Sequence, residues 1–167
     1  NNIVSSNNSG ATYTAEIPGT SAVPTGNINS SAKFIGEDTV IVCANNAFKY
    51  SFAAVDDDGD QLSYSFCGAY PGAGRGNAQP DQPSPPPYFP LAYSGFFSAT
   101  LPLGSGVKIN PATGLIEGIA PAVGIYVVTV CVNEIRNGLE IATQRKDLQI
   151  KVGDCNVASA NLAPQYI

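Results

Sequence analysis

The sequence predicts an all-β sandwich domain, and three observations support this prediction. Apolar side chains recur with period two from Tyr126 to Val132, as in a strand with one face against a core. The preceding residues place a capped turn, Asn110 to Gly114, beside a short strand. The composition includes 17 Gly and 13 Pro but no Met, Trp or His, which is typical of turn-rich β proteins. A chain of 167 residues accommodates one such domain.

The predicted strands lie between residues 34 and 155. Strand-like runs occupy residues 39–43, 48–52, 62–66, 125–133 and 143–152. The Asn137-Gly138 pair between the last two runs favours a type I′ hairpin. On the return strand, Leu148, Ile150 and Val152 share one face. We expect about seven strands in this domain.

A proline- and aromatic-rich insertion interrupts the strand order at residues 68–105. A loop of this length is usually functional or packs through its own side chains. Its aromatic side chains are a candidate platform for sugar rings or a protein partner, and folding back over the sheet is the alternative. This candidate platform consists of Tyr88, Phe89, Tyr93, Phe96 and Phe97.

The flanks of the predicted domain have a different composition. Residues 1–33 are rich in Asn, Ser, Thr and Gly, and we interpret them as a linker that contributes a strand either to this domain or to a neighbour. Residues 156–167 are expected to form a C-terminal tail or a connection to a neighbouring module.

Charge and residue usage exclude several functions. The net charge of −5, without a Lys or Arg cluster, argues against nucleic acid as a partner. No apolar run is long enough for direct membrane insertion. The chain has no His, so histidine-dependent catalysis is excluded, and a Gly-x-Ser-x-Gly elbow is also missing. We therefore expect a protein that is not an enzyme.

The four cysteines predict two structural disulfides, because they are widely spaced and include no C-x-x-C pair. Four cysteines allow three connectivities. If the first and last strands end at the same pole, Cys43 lies near Cys155, and Cys67 and Cys131 then pair across neighbouring strands. Strand register decides whether this second pair reaches the required Cα separation. Disulfides, together with the missing initiator Met and signal peptide, predict a mature or excised segment that is exported.

Two stretches resemble a known family. Residues 101–104, 107–118 and 123–130, and the upstream run 48–64 (FKYSFAAVDDDGDQLSY), resemble the immunoglobulin/cadherin-like domains of bacterial surface proteins. The cysteines and the Pro-Pro-Pro-Tyr insertion further resemble variants in large exported proteins of Bacteroidota that are associated with gliding or adhesion. This resemblance implies an extracellular Ig/cadherin-like β-sandwich, often repeated, without enzymatic activity of its own.

The sharpest chemical feature is an acidic loop. Four carboxylates within five residues repel one another unless they are solvated or share a cation, and calcium prefers such hard oxygen ligands. The candidate calcium ligands are Asp56, Asp57, Asp58 and Asp60, with Glu134 or Asn133 on a neighbouring loop as possible completing ligands. The alternative is a solvated turn in which the Asp side chains cap their own backbone.

Three positions match glycosylation patterns. Asn7 and Asn29 begin Asn-x-Ser sequences, and Thr39 lies in a motif that resembles the O-glycosylation site of Bacteroidota. These positions fit an exported protein.

The sequence as a whole predicts a non-enzymatic structural or adhesive module at the cell surface, as a repeat or subunit of a stalk or filament. Its expected partners are neighbouring repeats or identical subunits, and also surface glycans. The alternative function is a carbohydrate-binding module that uses the aromatic insertion.

Overall fold

A computed structural model describes residues 1–4, 9–19, 29–75 and 86–155. In these residues the protein is all-β, as predicted, with eleven strands and no helix. A helix long and apolar enough to cross a membrane is not found among them. The strands are β1 (Ser9–Thr12), β2 (Lys33–Phe34), β3 (Val40–Cys43), β4 (Ala47–Ser51), β5 (Ala54–Val55), β6 (Gln61–Cys67), β7 (Tyr70–Arg75), β8 (Val107–Ile109), β9 (Leu115–Ile119), β10 (Gly124–Arg136) and β11 (Leu139–Gly153).

Two larger sheets contain seven of these strands. The four-stranded sheet has the order β3-β11-β10-β6, and the three-stranded sheet has the order β4-β9-β8. All neighbours are antiparallel except β3 and β11, which are parallel. The remaining strands form two-stranded sheets, β1 with β7 and β2 with β5. These four strands bring the total in the described residues to eleven, beyond the seven or so that the sequence predicted.

The two larger sheets share one hydrophobic core. Val128, Val130 and Val132 of β10 are fully buried, and so is Ile116 of β9 in the other sheet. Full burial of each such side chain contributes roughly 1.5–3 kcal/mol. The predicted alternation along β10 is therefore confirmed, since its even-numbered residues face this core.

The opposite face of the four-stranded sheet is also covered. Thr129 and Cys131 are buried on this outer face, beneath the insertion and the N-terminal residues. The Asn2 amide anchors this cover, because it donates to the Pro102 and Val127 carbonyls at 2.8 and 2.7 Å and accepts from the Val127 N–H at 2.9 Å. The middle of the sheet is thus shielded from solvent on both sides.

The N-terminal segment and the insertion are joined by strand pairing. The sequence left open whether the N-terminal segment contributes a strand to this domain or to a neighbour. In the structure, β1 lies in this domain and pairs with β7. The sequence prediction treated residues 68–105 as a loop, which was wrong at its start, because β7 covers Tyr70–Arg75. Its Pro and Gly residues obscure the strand pattern. Residues 156–167 lie outside the described part of the chain.

The β10–β11 hairpin is longer than predicted. The return strand begins at Leu139 rather than 143, directly after a two-residue loop. Asn137 and Gly138 have φ values of 53° and 80°, and this pair of positive values is what a type I′ turn requires. A register shift between Glu134 and Ile135 marks a bulge near the tip. The hairpin tip therefore extends beyond the hydrophobic core.

Both disulfides connect distant parts of the chain, and all four cysteines are paired. Cys43 bonds to Cys155 with a Cα separation of 5.3 Å, which links the end of β3 to the residues after β11. Cys67 bonds to Cys131 with a Cα separation of 5.9 Å. The residue directly opposite Cys67 is Thr129, so this second bond joins a diagonal pair on adjacent strands. Two such bonds indicate an oxidising compartment.

Candidate functional site

The acidic loop connects β5 to β6 at the same pole as the hairpin tip. The Asp56 side chain shapes the loop, because its Oδ1 accepts from the Asp58 and Asp60 backbone N–H groups, both at 3.0 Å. Gly59 completes the bend with a φ of 79°. As a result, carboxylate oxygens of Asp56, Asp58 and Asp60 lie within 4.8 Å of one another.

Arg136, at the end of β10, binds this loop. Its Nε and Nη2 donate to the two oxygens of Asp60 at 2.7 and 2.6 Å, and Nη2 lies 3.7 Å from an oxygen of Asp58. The contact is shielded, because the Arg136 side chain is 21% exposed and that of Asp60 only 4%. The hydrogen bond to Asp60 raises the pKa of Arg136, so the guanidinium stays charged.

Asn29 extends these contacts to a buried carboxylate. Its Oδ1 accepts from Arg136 Nη2 at 2.9 Å, and its Nδ2 donates to Glu134 Oε2 at 2.7 Å. The other oxygen of Glu134 accepts from the Ala32 N–H at 2.7 Å, which leaves Glu134 fully buried with both oxygens bonded. We call Asn29, Asp58, Asp60, Glu134 and Arg136 the arginine network.

The structure divides the predicted calcium ligands into three groups. Asp56, Asp58 and Asp60 form the cluster described above. Asp57 instead makes an exposed ion pair with Lys33 at 2.6 Å. Glu134 lies apart from them, bound to Asn29 and Ala32.

While Arg136 stays in place, the cluster offers calcium few carboxylate oxygens that are not already hydrogen-bonded. Calcium takes six to eight oxygen ligands. Both oxygens of Asp60 bind Arg136, and one oxygen of Asp56 binds two backbone N–H groups. Asp56 Oδ2 is buried without a hydrogen-bond partner among the described residues, which leaves one inward-facing oxygen there. The calcium prediction thus stays a prediction, and the contacts of Asp60 support Arg136 as a rival cation.

Two of the three glycosylation candidates can be located. The Asn29 amide nitrogen, which a glycan would modify, donates to buried Glu134. Thr39 is exposed just before β3 and next to Asp38, which pairs with Lys146. Asn7 lies outside the described residues.

The aromatic side chains of the insertion do not form one platform. Phe97 packs edge-on against Tyr126 in the core, with ring centroids 5.5 Å apart. Tyr88 lies on Tyr70 with centroids 5.6 Å apart, and the Tyr93 hydroxyl accepts from the Ala69 N–H at 3.4 Å. The exposed members are Phe89 and Phe96, at 74% and 97%.

A small pocket on the outer face of the four-stranded sheet was not predicted. It measures about 150 Å³ and lies between the N-terminal residues, the insertion and β11, with Tyr13, Tyr70 and Asp147 in its lining. Burial raises the pKa of Asp147, and the neighbouring Thr129 side chain and then the charge of Arg145 partly oppose this effect. Arg145 itself stacks over the Tyr70 ring at 4.0 Å.

Sequence reasoning also missed the role of Arg136. The available signal was the alternation of β10, which continues from Val132 through Glu134 to Arg136 on the core-facing side. An acidic and a basic residue at consecutive inward positions indicate buried polar partners. The identity of those partners depends on chain segments far away in sequence.

The similarity of this chain to a solved structure is weak. No protein-family model matches the sequence, and no curated protein matches it. One solved structure that is similar in part is a protein from Bacteroides fragilis NCTC 9343, provisionally named an alpha-galactosidase. The identity is 16% and the TM-score 0.42, over 77% of this chain and 19% of that one. A similarity of this size carries no inference about fold or activity.

Proposed function

We propose that this chain is a non-enzymatic structural or adhesive module of a secreted cell-surface protein, with an Ig/cadherin-like β-sandwich fold. Seven strands in a four-stranded and a three-stranded sheet around one core support the proposed fold. The partners in this proposal are neighbouring repeats or identical subunits. The disulfides support the proposed extracellular location, since such bonds persist in oxidising surroundings.

The observation that carries the proposal is the Cys43–Cys155 disulfide. It joins the end of β3 to the last described residue, across a sequence separation of 112 residues. A tensile force that enters beyond Cys155 therefore acts on a covalent bond to β3 before it can peel β11 from the sheet. A module that transmits load between neighbours benefits from this closure.

Single-molecule force spectroscopy tests this role. We expect tandem copies of the oxidised chain to unfold without releasing the residues between Cys43 and Cys155. Reduction of both disulfides should add a contour length of about 390 Å per module, from 112 residues at ~3.5 Å each. Equal contour lengths for the oxidised and reduced proteins would contradict a load-bearing role for this bond.

Carbohydrate binding is the second candidate, and exposed Phe89 and Phe96 favour it. Exposed aromatic rings are typical of surfaces that contact sugar rings or partner proteins. A glycan array with wild type, Phe89→Ala and Phe96→Ala tests this candidate, with Leu139→Ala as a control because Leu139 is exposed at the hairpin. Saturable binding that either Phe variant abolishes and the control retains would favour the lectin function, whereas a blank array would exclude it for the glycans present.

A further inference from the structure

We infer that Arg136, rather than a metal ion, is the resident counter-cation of the acidic loop, and that its network fixes residues 29–32 to this domain without calcium. This inference concerns the chemistry of the loop and does not depend on the proposed adhesive role. It rests on the contacts of the arginine network, whose residues come from the loop, the tip of β10 and the segment before β2.

The buried Asp60 carboxylate requires a counter-charge. Its side chain is 4% exposed, and a carboxylate with so little solvent contact needs a counter-charge in place of water. Arg136 provides that charge through two parallel N–H···O hydrogen bonds, which is the strongest geometry available to a carboxylate and a side chain. Asp60 therefore needs no ion.

Arg136 and calcium are competing cations at this loop. A calcium ion at Asp56, Asp58 and Asp60 would compete with the guanidinium, because the ion needs an oxygen of Asp60 and both of these oxygens accept from Arg136. The displaced guanidinium would also lose its hydrogen bond to Asn29 Oδ1. Lys33 supplies a second protein cation at the loop through its ion pair with Asp57.

The arginine network also contacts the chain segment that precedes β2. Asn29 lies between Arg136 and Glu134, and the Ser30 N–H donates to Asp58. The Ala32 N–H donates to Glu134, after which β2 begins at Lys33. Three of the four residues that precede β2 therefore take part in these hydrogen bonds. The acidic loop, β10 and the segment before β2 meet at the guanidinium of Arg136.

The test compares thermal unfolding of the full oxidised chain in EDTA and in about 5 mM calcium, a concentration above the dissociation constants of weak extracellular sites. We expect the wild-type Tm to change by less than about 2 °C between the two conditions. We expect Arg136→Gln to lower the Tm in both conditions. Lys33→Gln is the matched control, because it removes the cation that pairs with Asp57 of the same loop, and this ion pair is exposed.

Two results would overturn the inference. One is a wild-type Tm that rises in calcium by more than about 2 °C. The other is an Arg136→Gln protein whose Tm equals that of Lys33→Gln. If Arg136→Gln does not fold, isothermal titration of the wild type with calcium decides: no saturable binding up to about 1 mM supports the inference, and saturable binding below that concentration overturns it.

Discussion

Replacement of Glu134 by Gln tests whether this buried carboxylate is a structural acceptor. Glu134 accepts from Asn29 Nδ2 and from the Ala32 N–H, both at 2.7 Å. Glutamine has one acceptor oxygen, so one of these donors would face an N–H₂ group instead. Asn29 cannot flip without cost, because its Oδ1 accepts from Arg136. We therefore expect one buried donor to lose its partner.

The size of the effect follows from this lost hydrogen bond. Hydrogen bonds to charged groups contribute about 1.5–3 kcal/mol, and an unsatisfied buried donor costs a similar amount. We expect Glu134→Gln to reduce the free energy of unfolding by about 2–3 kcal/mol, since the carboxylate is fully buried. For a domain of this size, that corresponds to a Tm decrease of about 4–12 °C.

Equilibrium unfolding in urea measures this change. The chain has eight tyrosines and no tryptophan, so tyrosine fluorescence and far-ultraviolet circular dichroism are suitable probes. Glu117→Gln is the control, because Glu117 makes an exposed ion pair with Lys49 that is worth at most about 1 kcal/mol. If Glu134→Gln unfolds at the same urea midpoint as Glu117→Gln, with unchanged m-values, the buried acceptor role is wrong.

Two further predictions concern other parts of the fold. Burial raises the pKa of Asp147 above 3.8, so the folded protein binds this proton more tightly than the unfolded chain, and stability is lost as pH rises through the folded pKa. Asp147→Asn should therefore unfold at a higher denaturant concentration than wild type at pH 7. If the difference in unfolding midpoint between the two proteins is the same at pH 3, the raised pKa of Asp147 is not its cause. Gly118 has a φ of 152°, and an added Cβ would lie 2.1 Å from the Gly106 carbonyl oxygen. We expect Gly118→Ala to lower the free energy of unfolding, measured by chemical denaturation, by about 3 kcal/mol. Gly153→Ala is the control, because its added Cβ meets nothing within 4 Å. Equal free energies of unfolding for the two variants would contradict the clash.

Local sequence patterns predicted the larger strands well. The alternation in residues 125–133 and the Asn137-Gly138 pair correspond to β10 and its turn. These features are local, because side-chain direction repeats every second residue and turn conformation depends on adjacent residues. The short strand β7 was missed because its Pro and Gly residues lack that alternation, and its pairing with β1 comes from a distant segment.

The contacts of the acidic loop could not be predicted from local sequence patterns. Its composition indicated a site that needs a cation, and the sequence suggested calcium. The cation that contacts Asp60 in the structure is Arg136, which is 76 residues away in sequence. Asn29, which matched a glycosylation pattern, instead bridges Arg136 and Glu134. Neither contact has a local signal.

By itself, the sequence determined that this protein is built from strands, where the two longest of them lie and that its cysteines suit disulfides. Only the tertiary structure decided which polar groups meet: Asn29 and Arg136 are 107 residues apart, and the paths of two strands and a loop bring them to 2.9 Å. The physical reason is that periodicity encodes which side of a strand is buried, whereas the partner of a buried charge depends on how distant strands align.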